Sequence, residues 1–192
     1  MTEAPSSLEF ADVEVRNAEE ADMPALQRIY ARHVLSGLAT FEETAPSIDE
    51  MAARWRAALD LGLPYLVAEA EGAILGYCYA APYRSRPAYR YAIEDSIYVA
   101  DGLGGKGVGT ALLSALIARC EAGPWRQMLA VIGDSGNLAS IGLHLRFGFE
   151  LIGTLRAVGF KFGQWVDTPI MQRALGAGGE GLPAAEDVTR QD

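Results

Sequence analysis

The chain has little of what metal centres and disulfide frameworks are made of. Its 192 residues include two cysteines, Cys78 and Cys120, and two histidines, His33 and His144. Neither pair has the spacing of a metal site or a disulfide scaffold, so no metal is expected. Half of the residues are hydrophobic, yet no apolar run approaches the roughly 18–20 residues of a membrane span. The opening MTEAPSSLEF lacks the basic and apolar regions of a secretory signal, and a cytoplasmic location is expected. Basic charge is scarce as well. The net charge is −9, with −3 in residues 1–12 and −3 in residues 176–192. Without a basic face, nucleic acid is not an expected partner, and neither is a membrane.

What is present suits one domain with one core. The expected organisation is a flexible segment over 1–12, a folded unit over 13–174 and a disordered acidic tail over 175–192, which is small and polar. VEVRN (13–17) alternates as a strand. Asp22 and Pro24 open a helix with Leu26, Ile29, Tyr30 and Val34 at helical spacing. ATFEE (39–43) reads as a short extended piece. Ser47 and Glu50 form a capping box that starts a second helix. Strands follow at 65–70, 73–81 and 91–100, the first two joined by a tight turn at Glu71-Gly72. A helix after the glycines, a buried strand at 125–133, a helix from Asn137 and two final strands at 149–160 and 164–173 complete the chain. This order implies an α/β (α+β) fold, a mixed sheet with helices on its faces.

The segment SIYVADGLGGKGVGTALLSALI (96–117) runs from a strand through five glycines into a helix. Such turns let backbone N–H groups close on a phosphate. A Walker A loop needs Ser or Thr after its lysine, and Lys106 is followed by Gly107. Gly102, Gly104 and Gly107 spell G-x-G-x-x-G, but five strands precede them and the acid expected about 20 residues on is misplaced. A third register uses Gly105, Gly107 and Gly109. A turn that merely needs glycines is the plain alternative.

In that third register the chain resembles the GNAT acyl-CoA N-acetyltransferases, whose pattern [RQ]-x-x-G-x-[GA] puts its glycines on Gly107 and Gly109. Its first position falls on Gly104, a departure from the pattern. The blocks YLVAEAEGAILGYCYAAPYRSRPAY, EDSIYV, NLASIGLHLRFGF and GTLRAVGFKFGQWVD narrow the resemblance to the phosphinothricin N-acetyltransferase branch. The resemblance implies the GNAT fold, with a mostly antiparallel sheet, acetyl-CoA as co-substrate and a homodimer. It also implies an acceptor such as phosphinothricin or methionine sulfoximine or sulfone.

It further implies roles for individual residues. Glu94 takes the place of the catalytic base, for which a solvated strand carboxylate is the alternative. His144 stands where many members carry a tyrosine serving the leaving thiolate, and a packed helix residue is the alternative. Gly105, Lys106, Gly107, Val108, Gly109 and Thr110 would hold the pyrophosphate. Ile97, Tyr98 and Val99 would pair with the pantetheine arm, joined by Asn137, which is also a plausible N-cap. Arg84, Arg86 and Tyr89 would line the acceptor pocket, closed by Phe41, unless the loop is only a solvated basic turn. Trp165 belongs near the site mouth or a dimer contact.

The chemistry sets the same requirements independently. An ammonium must lose a proton before it attacks a thioester, and charge then passes from the carbonyl oxygen to sulfur. Asp95 alternates to the opposite face from Glu94 and is the weaker base candidate. A Cys78–His144 nucleophilic pair is not needed, because direct transfer requires no covalent enzyme. The alternatives are a GNAT enzyme for another small amine, a non-catalytic acyl-CoA-binding module motivated by Gly104, and, more distantly, an oxidoreductase using the Rossmann register.

Overall fold

The computed structural model describes residues 13–183; the expected 1–12 segment and the end of the tail lie outside them. Seven strands form one sheet in the order β1-β2-β3-β4-β5-β7-β6. They are β1 (Glu14–Asn17), β2 (Tyr65–Ala70), β3 (Ala73–Pro82), β4 (Ala92–Val99), β5 (Gln127–Val131), β6 (Glu150–Lys161) and β7 (Gln164–Ala174). Only β4 and β5 run parallel; every other neighbouring pair is antiparallel.

Helices α1 (Met23–Ser36) and α2 (Ile48–Asp60) cover one face. There Tyr65, Tyr77, Tyr79 and Tyr98 stack along the sheet, and Tyr98 meets Tyr30 of α1 edge-on. Helices α3 (Val108–Glu121) and α4 (Leu138–Arg146) take the other face. On that side the Cys78 thiol donates to Leu112 O, and Leu112, Leu113 and Leu116 are fully buried. Neighbouring strand residues point to opposite faces, so consecutive residues of β4 serve two different layers.

The capping box of Ser47 and Glu50 forms as read, with bonds of 2.6 and 3.1 Å. The Glu71-Gly72 turn also forms, both residues in the left-handed region that a two-residue hairpin loop requires. Asp22 and Pro24 open α1 as read, with Asp22 at the N-cap position. Its side chain does not cap α1; it accepts from Glu19 N at 2.8 Å and from the Arg16 guanidinium at 2.8 and 2.9 Å. The extended piece expected at ATFEE is a loop with no ladder partner, so four strands precede the glycines, not five. The folded unit also runs past 174. Leu175 is buried, and Arg126 ties the following turn down through Gly178 O at 2.8 Å and Glu180 O at 2.6 Å.

Candidate active site

The sheet forks at β4. The parallel ladder joins Ala92–Asp95 to Gln127–Ala130 and stops there. Beyond it, β5 stays with β7, where Ile132 N bonds Pro169 O at 3.0 Å, while β4 stays with β3 up to Val99. Ile97, Tyr98 and Val99 therefore have no β5 partner. A narrow cleft opens between the strands, and Asp95, Ile97, Tyr98, Asn137, Ser140 and His144 are among its lining residues. A strand-like arm carrying amides fits such an unpaired edge.

At one end of the fork β4 runs into the glycine loop. Gly102, Gly105 and Gly107 adopt φ of +75°, +76° and +87°. Gly107 is the N-cap of α3 and supplies no side-chain cap, so the first-turn N–H groups of Val108, Gly109 and Thr110 face outward with the positive end of the helix dipole. Lys106 is exposed beside them. A Cβ on Gly107 or Gly104 would meet nothing within 4 Å, whereas one on Gly109 would come within 3.3 Å of Leu143. Gly109 thus allows α3 to approach α4, a packing role that the motif alone does not reveal.

Glu94 lies on the α1/α2 face, paired across the strands with Ala81. It is half-buried, and its pKa is pushed up to about 7, first by burial and then by the charge of Asp95, with Arg84 opposing. Arg84 lies over the Tyr83 ring at 4.4 Å and donates to Tyr83 O at 3.3 Å. Tyr83 in turn meets Tyr89 edge-on at 5.7 Å. Arg86 is exposed at the start of the 3-10 turn Pro87–Tyr89. The loop thus holds Arg84 and Tyr89 against the same Tyr83 ring where the chain enters β4, with Arg86 exposed on the same turn.

Phe41 sits on the strap between α1 and α2, and its ring occupies the space a side chain at Gly159 would need. Sequence reasoning missed what holds this strap. Lys161, 2% exposed, donates to Gly37 O at 2.9 Å and Thr40 O at 2.7 Å. Tyr30 bonds Thr40 Oγ1 and Glu42, both at 3.0 Å, and Arg54 pairs with Glu42. Leu38 O and Ala39 lie against Gly133, leaving no room for a Cβ there. No local signal marks these partners, because they come from α1, α2, the end of β5 and β6.

His144 sits on the opposite face from Glu94. It is buried, its Nδ1 lies 2.8 Å from Ser140 O and its Nε2 lies 3.0 Å from Asp95 Oδ2. The two candidate catalytic residues are therefore separated by the sheet. Asn137 caps α4 by accepting from Ser140 N at 3.1 Å. His33, which carried no sequence signal, bonds Val99 O through Nε2 at 3.0 Å and so braces the unpaired edge. Cys78 is fully buried, and burial pushes its thiol well up, which opposes the thiolate a nucleophile needs. A separate cavity of about 310 Å³ under α2 is lined by Tyr30, Met51, Tyr65, Tyr77 and Tyr79 and contains no carboxylate. Among the described residues no group of three or more His, Cys, Asp or Glu could hold a metal ion, and no helix is long and apolar enough to cross a membrane.

A split parallel pair with an uncapped helix start behind it can take an extended chain ending in an anionic group. The pattern of the Acetyltransferase (GNAT) domain matches residues 15–170. The chain is 57% identical over 169 residues to phosphinothricin N-acetyltransferase of Alcaligenes faecalis, covering 88% of this chain and 86% of that one. It is 42% identical over 162 residues to the L-methionine sulfoximine/L-methionine sulfone acetyltransferase of Pseudomonas aeruginosa, covering 84% and 94%. The crystal structure of a phosphinothricin acetyltransferase from Sinorhizobium meliloti in complex with AcCoA superposes with a TM-score of 0.88 at 49% identity, covering 93% and 96%. The chain belongs to the GNAT superfamily and is an N-acetyltransferase.

Proposed function

We propose that the enzyme transfers the acetyl group of acetyl-CoA to the amino group of a small acidic or sulfoximine-type amino acid, with Glu94 as the base. The observation that carries this is Glu94 itself, a half-buried carboxylate held at about 7 beside the fork. A base there is ionised often enough to act and basic enough to take a proton near neutral pH. The names of the Alcaligenes and Pseudomonas relatives support the acceptor class, and the Sinorhizobium complex supports the co-substrate.

The pantetheine arm lies along Ile97–Val99, with Asn137 as a further partner, and the pyrophosphate meets the N–H groups of Gly105–Thr110. Arg84, Arg86 and Tyr89 take the acceptor's acidic group, and Phe41 forms the opposite wall. Glu94 accepts one proton from the ammonium, directly or through a water. The amine nitrogen attacks the thioester carbon, the C–N bond forms, the C–S bond breaks and its electron pair leaves on sulfur. The second amine proton balances the thiolate as thiol. A panel of amino acids assayed by thiol release tests this reading. Phosphinothricin and methionine sulfoximine should be the preferred acceptors, and turnover only with amines that lack an acidic or sulfoximine group would reject it.

The same proposal includes a homodimer, with the enzyme in the cytoplasm and the folded unit spanning about 13–174 plus the pinned turn after it. Support for the dimer comes from β6, which exposes Leu151, Ile152, Leu155, Val158 and Phe160 together with Trp165 of β7. Exposed apolar side chains gathered along one edge hairpin suit a protein interface. Sedimentation should give a dimer for the wild type and a monomer for Trp165→Glu; a monomeric wild type would remove the proposal.

A further inference from the structure

The nearest polar atoms to the two ring nitrogens of His144 are both acceptors, and the Ser140 hydroxyl lies farther from Nδ1, at 3.4 Å. Ser140 O is a carbonyl, so Nδ1 at 2.8 Å must carry a proton. Asp95 Oδ2, 3.0 Å from Nε2, accepts when ionised. With Asp95 ionised, a neutral imidazole has one N–H and cannot satisfy both. The side chains are 4% and 2% exposed, so water does not relieve the mismatch. Asp95 Oδ1 is buried with no partner, and Asp95 lines the cleft between β4 and β5. A buried carboxylate without a cation is costly, and none of the hydrogen bonds or ion pairs among the described residues joins it to Lys or Arg.

We propose that Asp95 is a positioning residue that holds His144 as a doubly protonated imidazolium at the edge of the cleft. His144 then meets the thioester arm as a fixed cation that favours charge on sulfur, and it cannot take the amine proton, which leaves that task to Glu94. The proposal rests on the reading that the fork receives that arm. The surroundings agree. The other titratable groups that sense Asp95 are Cys78 of β3, Cys120 of α3 and Glu94 of β4. Burial, followed by the Asp95 charge, keeps both cysteines as thiols, so neither competes for the proton. Phe149 meets the ring edge-on at 4.9 Å and adds no charge. The pair with Asp95 and the Ser140 carbonyl raise the pKa of His144 against the opposing effect of its burial.

With only two histidines in the chain, nitrogen-15 NMR of ring-labelled protein reads the state directly, and His33→Gln assigns the signals. In the unliganded wild type both nitrogens of His144 should remain protonated from about pH 6 to well above the ordinary histidine value of about 6.5. In Asp95→Asn the amide N–H donates to Nε2, and His144 should be neutral near pH 7 with one bare nitrogen. A wild-type His144 with a bare nitrogen at neutral pH overturns the proposal, whatever the enzyme's substrate. In kinetics, Asp95→Asn and His144→Gln should each lower kcat about tenfold or more with the coenzyme A Kd unchanged. The double variant should be no worse than the poorer single one; additive losses would show that Asp95 does not act through His144.

Discussion

Glu94 and Asp95 are adjacent in β4 but serve opposite faces of the sheet, and the charge of Asp95 still raises the pKa of Glu94. One face carries the proposed base and the other carries the Asp95–His144 pair, with the cleft between β4 and β5 beside them. The expected consequences follow residue by residue.

Glu94→Gln keeps the shape of the side chain but cannot take a proton. The expected loss in kcat is about 10²–10⁴-fold, shrinking as rising pH supplies free amine. The wild-type acid limb should lie near pH 7, where Glu94 ionises. Stability should change in the opposite sense. From the ordinary 4.5 up to about 7 the folded state keeps a proton that the unfolded state has lost, so wild-type stability falls as pH rises across that window. Glu94→Gln removes this penalty and should melt higher than wild type above the window but not below it. Wild-type kcat in the variant at every pH would remove Glu94 from the mechanism.

Gly107→Val places a β-branched residue at φ +87°, a region it avoids, and puts a side chain where the proposed pyrophosphate sits. Calorimetry should show coenzyme A binding lost in a folded variant. Gly104→Arg is the converse, since the position has open space and no left-handed φ. Its affinity for coenzyme A should hold or rise, and a sharp loss would contradict the proposed register.

Arg86→Ala should raise the acceptor KM by about ten- to hundred-fold, the value of a charge-assisted hydrogen bond of roughly 1.5–3 kcal/mol. Acetyl-CoA KM should not move. An equal effect on amines without an acidic group would show that the loop contributes something other than recognition.

Lys161→Met retains the buried stem and strands two carbonyls, Gly37 O and Thr40 O. The expected cost is about 1–3 kcal/mol of stability, measurable by denaturant titration. The strap would loosen, so acceptor KM should rise while coenzyme A affinity holds. An unchanged acceptor KM would mean that Phe41 does not line that pocket.

Local sequence determined the elements and the loop chemistry. The period of Leu26, Ile29, Tyr30 and Val34, the Ser47–Glu50 box, the Glu71-Gly72 turn and the glycines entering α3 act within a few residues, and such short-range rules are legible in one dimension. The alternation of β4 likewise separated Glu94 from Asp95. What the partners are was not legible. The fork exists because β5 follows β7 while β4 follows β3, a matter of strand order. His144 reaches Asp95 across 49 positions of the chain and Lys161 reaches Gly37 across 124. Desolvation and ion pairing depend on which distant groups the fold packs together, so the poise of Glu94, the charge of His144 and the anchoring of the strap were decided only in the tertiary structure.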